Sequence, residues 1–371
     1  MGMLFNIFLL LYQLALSVPL DNIFNIPIIK QAITPPNSGS GGFSVPGALQ
    51  NGFDYIYLIQ VSVGDGQIFN VAVDTGSSDV WVRGDKVDLT DSLITSESLS
   101  FQKSYYGLSV SGNVYGSSVQ VGSGTVHKMS FGVATNSAYT GPLQNIDGLL
   151  GLGFSGISAI AKPDTNFMDQ LGVSVAGIFL SNLAESSPGQ LTLGGTDSTK
   201  YSGGFSYFPI NSQTLWQVDA TGMTFSVNGG SAQDACGSFP NALIDSGAPY
   251  IYLDDGPADK LASALGASAY NPNPGPFQHG SYSIPCSVMT SGPSLKFTLK
   301  GVGFTLKSTD YVLYATPEKT SCILALNRAS SFGTDLLDKN SIIIGNVFQR
   351  VYYTVYDKGQ KLIGFAPAVH K

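Results

Sequence analysis

The chain has 371 residues, which is long enough for two domains of ordinary size. Charged residues make up only 12% of it, and glycine, tyrosine and phenylalanine are abundant, which favours an exported, turn-rich, all-β protein over a helical cytosolic one. The net charge of −7 and the lack of any run of basic residues argue against nucleic acid as a partner, because phosphate contacts require clustered lysine and arginine.

The amino terminus has the pattern of an export signal. Residues 4–16 are mostly apolar, and small residues around Ser17 predict cleavage after it, which assigns residues 1–17 as a signal peptide. A buried or membrane helix is the alternative, although the segment is too short to span a bilayer. No lysine or arginine precedes the apolar run, which departs from the usual signal. We expect a secreted protein with no membrane span, with delivery to a vacuole as the second destination.

Residues 18–48 are rich in proline and glycine. Such a composition is typical of segments outside a core, so we interpret these residues as a pro-segment and linker. Lys30 is the only basic residue before Arg83. A lysine in a segment of this kind is usually solvated.

β-Strand patterning begins near Phe53. Residues 57–64 alternate between apolar and polar side chains and lead into Asp65 and Gly66, a hairpin-turn signal. Similar strands recur as far as Phe365, with short helices predicted at residues 166–171 and 257–265. The spacing of the strands and glycine-rich turns predicts an all-β architecture.

Two short motifs carry the chemistry, and each is an apolar strand that delivers an aspartate into a hydroxyl–glycine turn. A single motif of this kind is usually a surface turn, but residues 69–73 alternate towards Asp74 as a strand should, and Trp81 follows. Two aspartates in contact share one proton, because two like charges cannot both ionise cheaply. Such a pair supplies the base and the acid that amide hydrolysis needs. The two motifs are Asp74-Thr75-Gly76-Ser77 and Asp245-Ser246-Gly247-Ala248.

The motifs resemble those of the pepsin-like aspartic proteases, whose two lobes each contribute one such loop. The resemblance covers residues 55–366 and includes one apolar-apolar-glycine strand after each aspartate, at residues 146–153 and 341–345. It implies an all-β, bilobal, pepsin-like fold with the cleft between two pseudo-symmetric lobes. We expect the amino-terminal lobe at residues 49–210 and the carboxy-terminal lobe at residues 211–371.

The resemblance also implies roles for individual residues. Asp74 and Asp245 are the expected catalytic pair, and the residues expected to support their loops are Thr75, Gly76, Ser77, Ser246 and Gly247. The halves differ at the fourth position, where Ser77 can donate a hydrogen bond to Asp74 but Ala248 cannot donate one to Asp245. Because losing a donor to the charged form raises a carboxyl pKa, we expect activity to persist into milder acid. Pro249, directly after Ala248, is a further departure from the family pattern.

A hairpin flap is expected at residues 101–119, closing over the substrate. Counting without gaps places Tyr105 at the flap tyrosine, whose hydroxyl in relatives bonds an indole matched here by Trp81; both are expected to contact substrate. Tyr106 is the alternative if one residue is deleted. No aspartate or glutamate lies between residues 101 and 124 to accept a basic substrate residue, so bulky apolar residues around the cut are expected.

Three cysteines remain to be assigned. In an exported protein, and by resemblance to the family, Cys286 and Cys322 are expected to form a disulfide. Cys236 is then expected to be a free buried thiol, with a reactive or intermolecular thiol as the alternative. In some relatives a propeptide lysine neutralises the aspartates, a role open to Lys30 if it is not simply solvated.

The sequence therefore predicts a secreted, monomeric, acid-active endopeptidase. Its partners are expected to be protein and peptide substrates and pepstatin-type inhibitors, with no metal and no cofactor. The three histidines lie in no motif of a serine, cysteine or zinc hydrolase. The alternative is an inactive binding or inhibitory protein of the same fold, because Ala248 and the altered flap depart from the family pattern and fold alone does not determine function.

Overall fold

The computed structural model describes residues 23–32, 55–105, 108–135, 146–160, 166–182, 188–268, 270–271, 281–314, 320–332 and 341–371. The first half of the chain contributes strands β1 (Phe24–Ala32), β2 (Tyr55–Val63), β3 (Gln67–Asp74), β4 (Val80–Arg83), β5 (Thr95–Tyr105), β6 (Leu108–Val121), β7 (Gly124–Ala134), β8 (Gly148–Gly151), β9 (Val175–Phe179), β10 (Gly189–Leu193) and β11 (Ser206–Pro209).

The second half contributes strands β12 (Gln217–Asp219), β13 (Thr224–Val227), β14 (Gln233–Asp234), β15 (Asn241–Ile244), β16 (Ile251–Leu253), β17 (Tyr270–Asn271), β18 (Ser281–Ile284), β19 (Leu295–Leu299), β20 (Val302–Leu306), β21 (Val312–Tyr314), β22 (Cys322–Leu324), β23 (Leu326–Arg328), β24 (Ser341–Ile344), β25 (Tyr352–Asp357) and β26 (Leu362–Pro367). The helices are α1 (Phe167–Leu171), α2 (Asp255–Ala264), α3 (Val288–Ser291), α4 (Ser308–Tyr311) and α5 (Asn346–Gln349). Two 3₁₀ turns lie at Ser155–Ile157 and Ala329–Phe332.

One extended sheet joins the two halves of the chain, in the order β11-β26-β25-β9-β10-β1-β2-β3-β8-β4-β7-β6-β5. Strands from both halves pair in it, because β25 runs antiparallel to β9 with Thr354 opposite Ile178. The second half adds a five-stranded sheet (β12-β15-β24-β16-β23) and two four-stranded sheets (β14-β13-β19-β20 and β17-β18-β22-β21). The all-β, bilobal architecture predicted from the sequence is confirmed.

Alternation of side chains explains how these strands form the core. In β3, Phe69, Val71 and Val73 are buried, whereas the side chain of Ile68 on the other face is 63% exposed. Successive residues of a strand point to opposite faces, so a period of two buries one face and leaves the other to solvent. Where layers cover both faces, as at β8 and β24, every residue of the strand is buried.

In each half, the strand that leads to an aspartate pairs in parallel with a later strand. Asp74 at the end of β3 lies opposite Gly151 of β8, and Ile244 at the end of β15 lies opposite Ile344 of β24. A Cβ added to Gly151 would lie 2.5 Å from the carbonyl carbon of Ser78, so only glycine fits there. Both aspartate loops are therefore held from behind by a buried strand.

Strand β1 corrects the expectation that residues 18–48 lie outside the core. It inserts between β10 and β2, and Ile26 and Ile28 are 2% and 0% exposed. A short alternating pattern is enough to bury one face of a strand when neighbouring strands hydrogen-bond to both of its edges. Within this range, residues 24–32 therefore belong to the folded body of the chain.

Lys30 is bonded within this part of the sheet and not to the aspartates. Its ammonium donates a hydrogen bond to the carbonyl oxygen of Asn182, at 2.7 Å, and its backbone lies opposite Tyr57 of β2. Lys30 is therefore not the counter-ion of the two aspartates in this structure.

Both predicted helices are present. Asn166 caps α1 by accepting the Met168 N–H at 2.9 Å, and α2 begins two residues earlier than predicted because Asp254 accepts the N–H of Asp255. The three shorter helices α3, α4 and α5 were not predicted. No helix in the described part of the chain is long and apolar enough to cross a membrane.

The cysteines pair as predicted. Cys286 and Cys322 form a disulfide that links the segment just before α3 to β22. Cys236 is a free, buried thiol, whose sulfur lies 3.4 Å from the carbonyl oxygen of Ala220. Burial raises the pKa of Cys236 to about 12, so the thiol stays protonated and inert in the folded protein.

Candidate active site

The structure brings the two aspartates together at the junction of the two halves. Asp74 ends β3 and Asp245 directly follows β15, and they are only 6% and 7% exposed. Each carboxylate accepts a hydrogen bond from the backbone N–H two residues further on: Gly76 donates to Asp74 and Gly247 donates to Asp245, both at 2.8 Å. The two loops thus present their carboxyl groups in the same manner.

Each glycine also lies against the carboxylate of the opposite loop. A Cβ added to Gly76 would lie 2.6 Å from Oδ2 of Asp245, and one added to Gly247 would collide with Oδ1 of Asp74. A larger residue at either position would displace a carboxyl group, so glycine is required for the two aspartates to approach.

The hydroxyl residues cross-link the two loops. The backbone N–H of Thr75 donates to the hydroxyl of Ser246 at 3.1 Å, and the N–H of Ser246 donates to the hydroxyl of Thr75 at 2.9 Å. Each hydroxyl in turn donates across the junction, from Thr75 to the carbonyl of Ile244 and from Ser246 to that of Val73. These four bonds form a two-fold arrangement that fixes the relative position of the two carboxylates.

The two carboxyl groups have different surroundings. Ser77 donates its hydroxyl proton to Oδ2 of Asp74 at 2.5 Å, whereas Ala248 has no hydroxyl to offer Asp245. Burial raises the pKa of Asp74, and the donors Ser77 and Gly76 oppose that rise. Burial and then repulsion from Asp74 raise the pKa of Asp245 well above its ordinary value. The hydroxyl of Ser77 therefore favours the charged form of Asp74, and no hydroxyl at position 248 does the same for Asp245.

Tyr105 and Trp81 meet beside the pair. The indole N–H of Trp81 donates to the hydroxyl oxygen of Tyr105 at 3.0 Å, and the two rings lie with their centroids 6.1 Å apart. Burial raises the pKa of Tyr105 well above its ordinary value, so its phenol is neutral. Tyr105 ends β5; Tyr106, the alternative flap tyrosine, lies outside the described residues.

Three further residues support the site and were not predicted. Trp216 donates its indole N–H to the carbonyl of Leu152 at 2.9 Å, beside the loop of Asp74. Tyr356 accepts from Thr75 at 3.4 Å and donates to Gln349 at 2.9 Å. Tyr356 lies in the carboxy-terminal run that carried the family resemblance, but nothing in that run indicates which side chain reaches the junction.

Asp79 is a buried carboxylate that holds a nearby loop. It accepts the hydroxyl proton of Ser158 at 2.5 Å and the N–H of Ala159 at 2.8 Å. Ile160, which follows, packs in the same apolar cluster as Trp81. The motif around Asp74 contains Asp79, but its partners lie about eighty residues away in sequence and carry no signal of their own.

Comparisons with known proteins agree with this geometry. The family model for eukaryotic aspartyl proteases matches residues 56–368. The chain is 32% identical over 337 residues to cathepsin D of Dictyostelium discoideum, covering 85% of this chain and 84% of that protein. It is 30% identical over 333 residues to vacuolar protease A of Aspergillus fumigatus, covering 84% of this chain and 79% of that protein.

A solved structure shares the fold. The crystal structure of the aspartic proteinase from Irpex lacteus superposes with a TM-score of 0.72 at 23% sequence identity, covering 93% of this chain and 97% of that one. The family match, the identities and the shared fold lead to one conclusion. The chain belongs to the eukaryotic aspartyl protease family and is an aspartic-type endopeptidase of pepsin-like fold.

Proposed function

We propose that this protein hydrolyses internal peptide bonds of protein substrates in acid, using Asp74 and Asp245 to activate a water molecule. The observation that carries the proposal is the pair of buried carboxylates, whose loops are held together by reciprocal hydrogen bonds between Thr75 and Ser246. The different surroundings of the two carboxyl groups support the division into one base and one acid.

The resting state of the pair carries one negative charge and one proton. Asp74 removes a proton from the water, and the water oxygen attacks the peptide carbonyl carbon. At the same time Asp245 donates its proton to the carbonyl oxygen. In the second step Asp74 delivers the proton it took to the leaving nitrogen. Asp245 takes a proton from one hydroxyl of the tetrahedral intermediate, and the carbon–nitrogen bond breaks. Both groups return to their starting protonation, so no other acid or base is required.

A preference for bulky apolar residues around the cut is supported by the side chains beneath the flap. The hairpin of β5 and β6 packs on a buried apolar cluster beside the aspartates, and closure of such a hairpin over substrate excludes water. The cluster consists of Trp81, Phe101, Val110, Val114, Ala134, Leu149 and Ile160.

The precursor organisation is also part of the proposal. Residues 1–17 form the signal peptide and residues 18–48 the pro-segment and linker, within which β1 occupies a place in the sheet. Residues 49–210 and 211–371 form the two lobes, consistent with the bridge between Ile210 and Val218 where the chain passes from one to the other. The protein acts as a secreted monomer; the name of the Aspergillus relative makes a vacuole the other destination.

Cleavage of a denatured protein at acid pH tests this proposal. We expect cleavage by the processed enzyme that pepstatin abolishes, and that falls by at least about a thousandfold in Asp245→Asn, because a carboxamide cannot supply the proton. Asp219→Asn is the matched control, because it removes an exposed carboxylate at the end of β12, and it should keep full activity. Persistent cleavage in Asp245→Asn would contradict the assignment, and no cleavage by the wild type would favour the inactive, ligand-binding alternative.

A further inference from the structure

Lys103 places a positive charge on the inner face of the flap hairpin. Residues two apart in a strand share a face, and in β5 Phe101, Lys103 and Tyr105 form such a set. Phe101 is 3% exposed and packs in the apolar cluster beneath the flap, and Tyr105 bonds Trp81. The partly buried side chain of Lys103 between them therefore faces the cleft as well.

The ammonium of Lys103 has unused hydrogen-bonding capacity. It donates to the carbonyl oxygen of Ile157 at 2.7 Å, which uses one of its three N–H donors. Within the residues that the structure describes, no carboxylate lies within ion-pair distance of it. A partly desolvated cation of this kind gains when an anion replaces the water on its remaining donors.

Among the residues that the structure describes, few charged groups lie near Lys103. Burial raises the pKa of Asp74, and the attraction between Lys103 and the Asp74 carboxylate is among the interactions that oppose this rise. The Asp79 carboxylate already accepts hydrogen bonds from Ser158 and Ala159. The phenol of Tyr105 is neutral. The facing residues of β6, 109–112, and the turn at residues 155–160 contain no charged side chain.

We propose that Lys103 is a specificity-determining residue that binds an acidic side chain of the peptide substrate. The inference rests on the proposed function and adds a substrate class to it. A strand advances about 3.3 Å per residue, and Lys103 lies two positions from Tyr105, which borders the aspartate pair. The acidic residue therefore lies within about two residues of the cleaved bond, among otherwise apolar neighbours.

This recognition depends on pH because the substrate carboxyl must be ionised to pair with the ammonium. A glutamic acid side chain ionises at about pH 4.3, whereas a lysine side chain remains charged at much higher pH. Glutamate and its neutral isostere glutamine should therefore be treated alike in strong acid. In milder acid, glutamate should be preferred at the position that faces Lys103.

The test compares peptides that differ only in glutamate or glutamine, substituted in turn at each position near the cut. For one position we expect the ratio of their kcat/KM values to rise about tenfold between about pH 3.5 and about pH 5.5, as a charged hydrogen bond forms. A ratio that stays flat at every position would overturn the inference. The wild-type enzyme alone gives this result, so it does not depend on the folding of a variant.

Variants then assign the effect to Lys103. In Lys103→Met the ratio should fall below one as glutamate ionises, because the nearby carboxylates that the structure describes, Asp74 and Asp79, then repel it. Lys103→Arg keeps the charge and should retain the preference. Lys128→Met removes an exposed lysine of β7 as the control for net charge and should leave the ratio unchanged. An unchanged ratio in Lys103→Met would assign the preference to another residue.

A binding measurement separates this inference from the proposed function. The same peptides are titrated into Asp245→Asn, with tryptophan fluorescence as the readout because the chain has two tryptophans. Tighter binding of the glutamate peptide in milder acid, without hydrolysis by the wild type, would uphold the role of Lys103 and reject the proposed catalysis. If both peptides are cleaved, bind equally well and show a kcat/KM ratio that does not change with pH, the proposed catalysis is upheld and the role of Lys103 is rejected.

Discussion

At the scale of single residues, one missing hydroxyl sets the electrostatics of the pair. Ser77 donates to Asp74, and its counterpart Ala248 is buried with no donor for Asp245. A donor to a carboxylate favours its charged form, so the half that lacks one holds its proton more strongly. Titration belongs to the pair as a unit, and the upper step is the one that ends activity as pH rises.

Ala248→Ser should restore the missing donor and lower the upper pKa of the pair. Activity requires the singly protonated state, so the alkaline limb of kcat/KM against pH should move down by about one pH unit, the equivalent of about 1.4 kcal/mol for a hydrogen bond to a charged group. Ser77→Ala is the matched change in the other half and should instead move the acid limb upward, because it removes a donor to Asp74. If neither limb moves, hydroxyl donation does not control these steps.

Residue-scale prediction from the sequence succeeded where the chemistry lies within one short turn. The motifs around Asp74 and Asp245 contain the glycines and hydroxyls that surround the carboxylates, so both loops could be anticipated together. The contacts of Lys103 and Asp79 could not, because their partners at residues 157–160 are distant in sequence and bond mainly through backbone atoms that every residue has.

At the scale of elements, strand β1 is the segment whose role the sequence obscured. It is nine residues long, lies next to proline- and glycine-rich sequence, and pairs with β10 more than 150 residues away. Composition is a property of a whole window, whereas burial of β1 depends on two isoleucines and on the neighbours that cover them. Only the tertiary arrangement supplies those neighbours.

Replacing Ile28 by alanine should destabilise the precursor, because its side chain is fully buried between β10 and β2. We expect the free energy of unfolding to fall by about 2–4 kcal/mol. Ile29 is 44% exposed on the other face of the same strand, and Ile29→Ala should cost less than about 0.5 kcal/mol. Urea unfolding followed by tryptophan fluorescence measures both. Equal losses for the two variants would contradict the burial of β1.

At the scale of the whole molecule, the balance of carboxyl groups suits an acidic environment. Besides the active-site pair, carboxyls with raised pKa values include the half-buried Asp310 and the buried Asp357, and loss of solvent is the largest cause in each. Exposed carboxylates such as Asp219, whose pKa is lowered to about 2 by Lys300, act in the opposite direction. Solvent screens exposed ion pairs strongly, so we expect the carboxyls with raised pKa values to determine how stability changes with pH.

The sign of the resulting pH dependence follows from proton binding. A carboxyl whose pKa is higher in the folded than in the unfolded state makes the native protein bind more protons, so stability falls as pH rises from the unfolded value through the folded one. We therefore expect the thermal midpoint to be several degrees higher at about pH 4.5 than at about pH 7.5. Asp357→Asn should reduce that difference, and the exposed control Asp219→Asn should not. A higher midpoint at neutral pH would reverse the argument.

The pH dependence of kcat/KM for the processed enzyme shows whether one proton shared between Asp74 and Asp245 drives peptide hydrolysis. We expect a bell-shaped profile confined to acid, whose two limbs report the titration of the pair, and loss of activity at every pH in both Asp74→Asn and Asp245→Asn. A profile that rises to neutral pH, or one that survives in either variant, would contradict it.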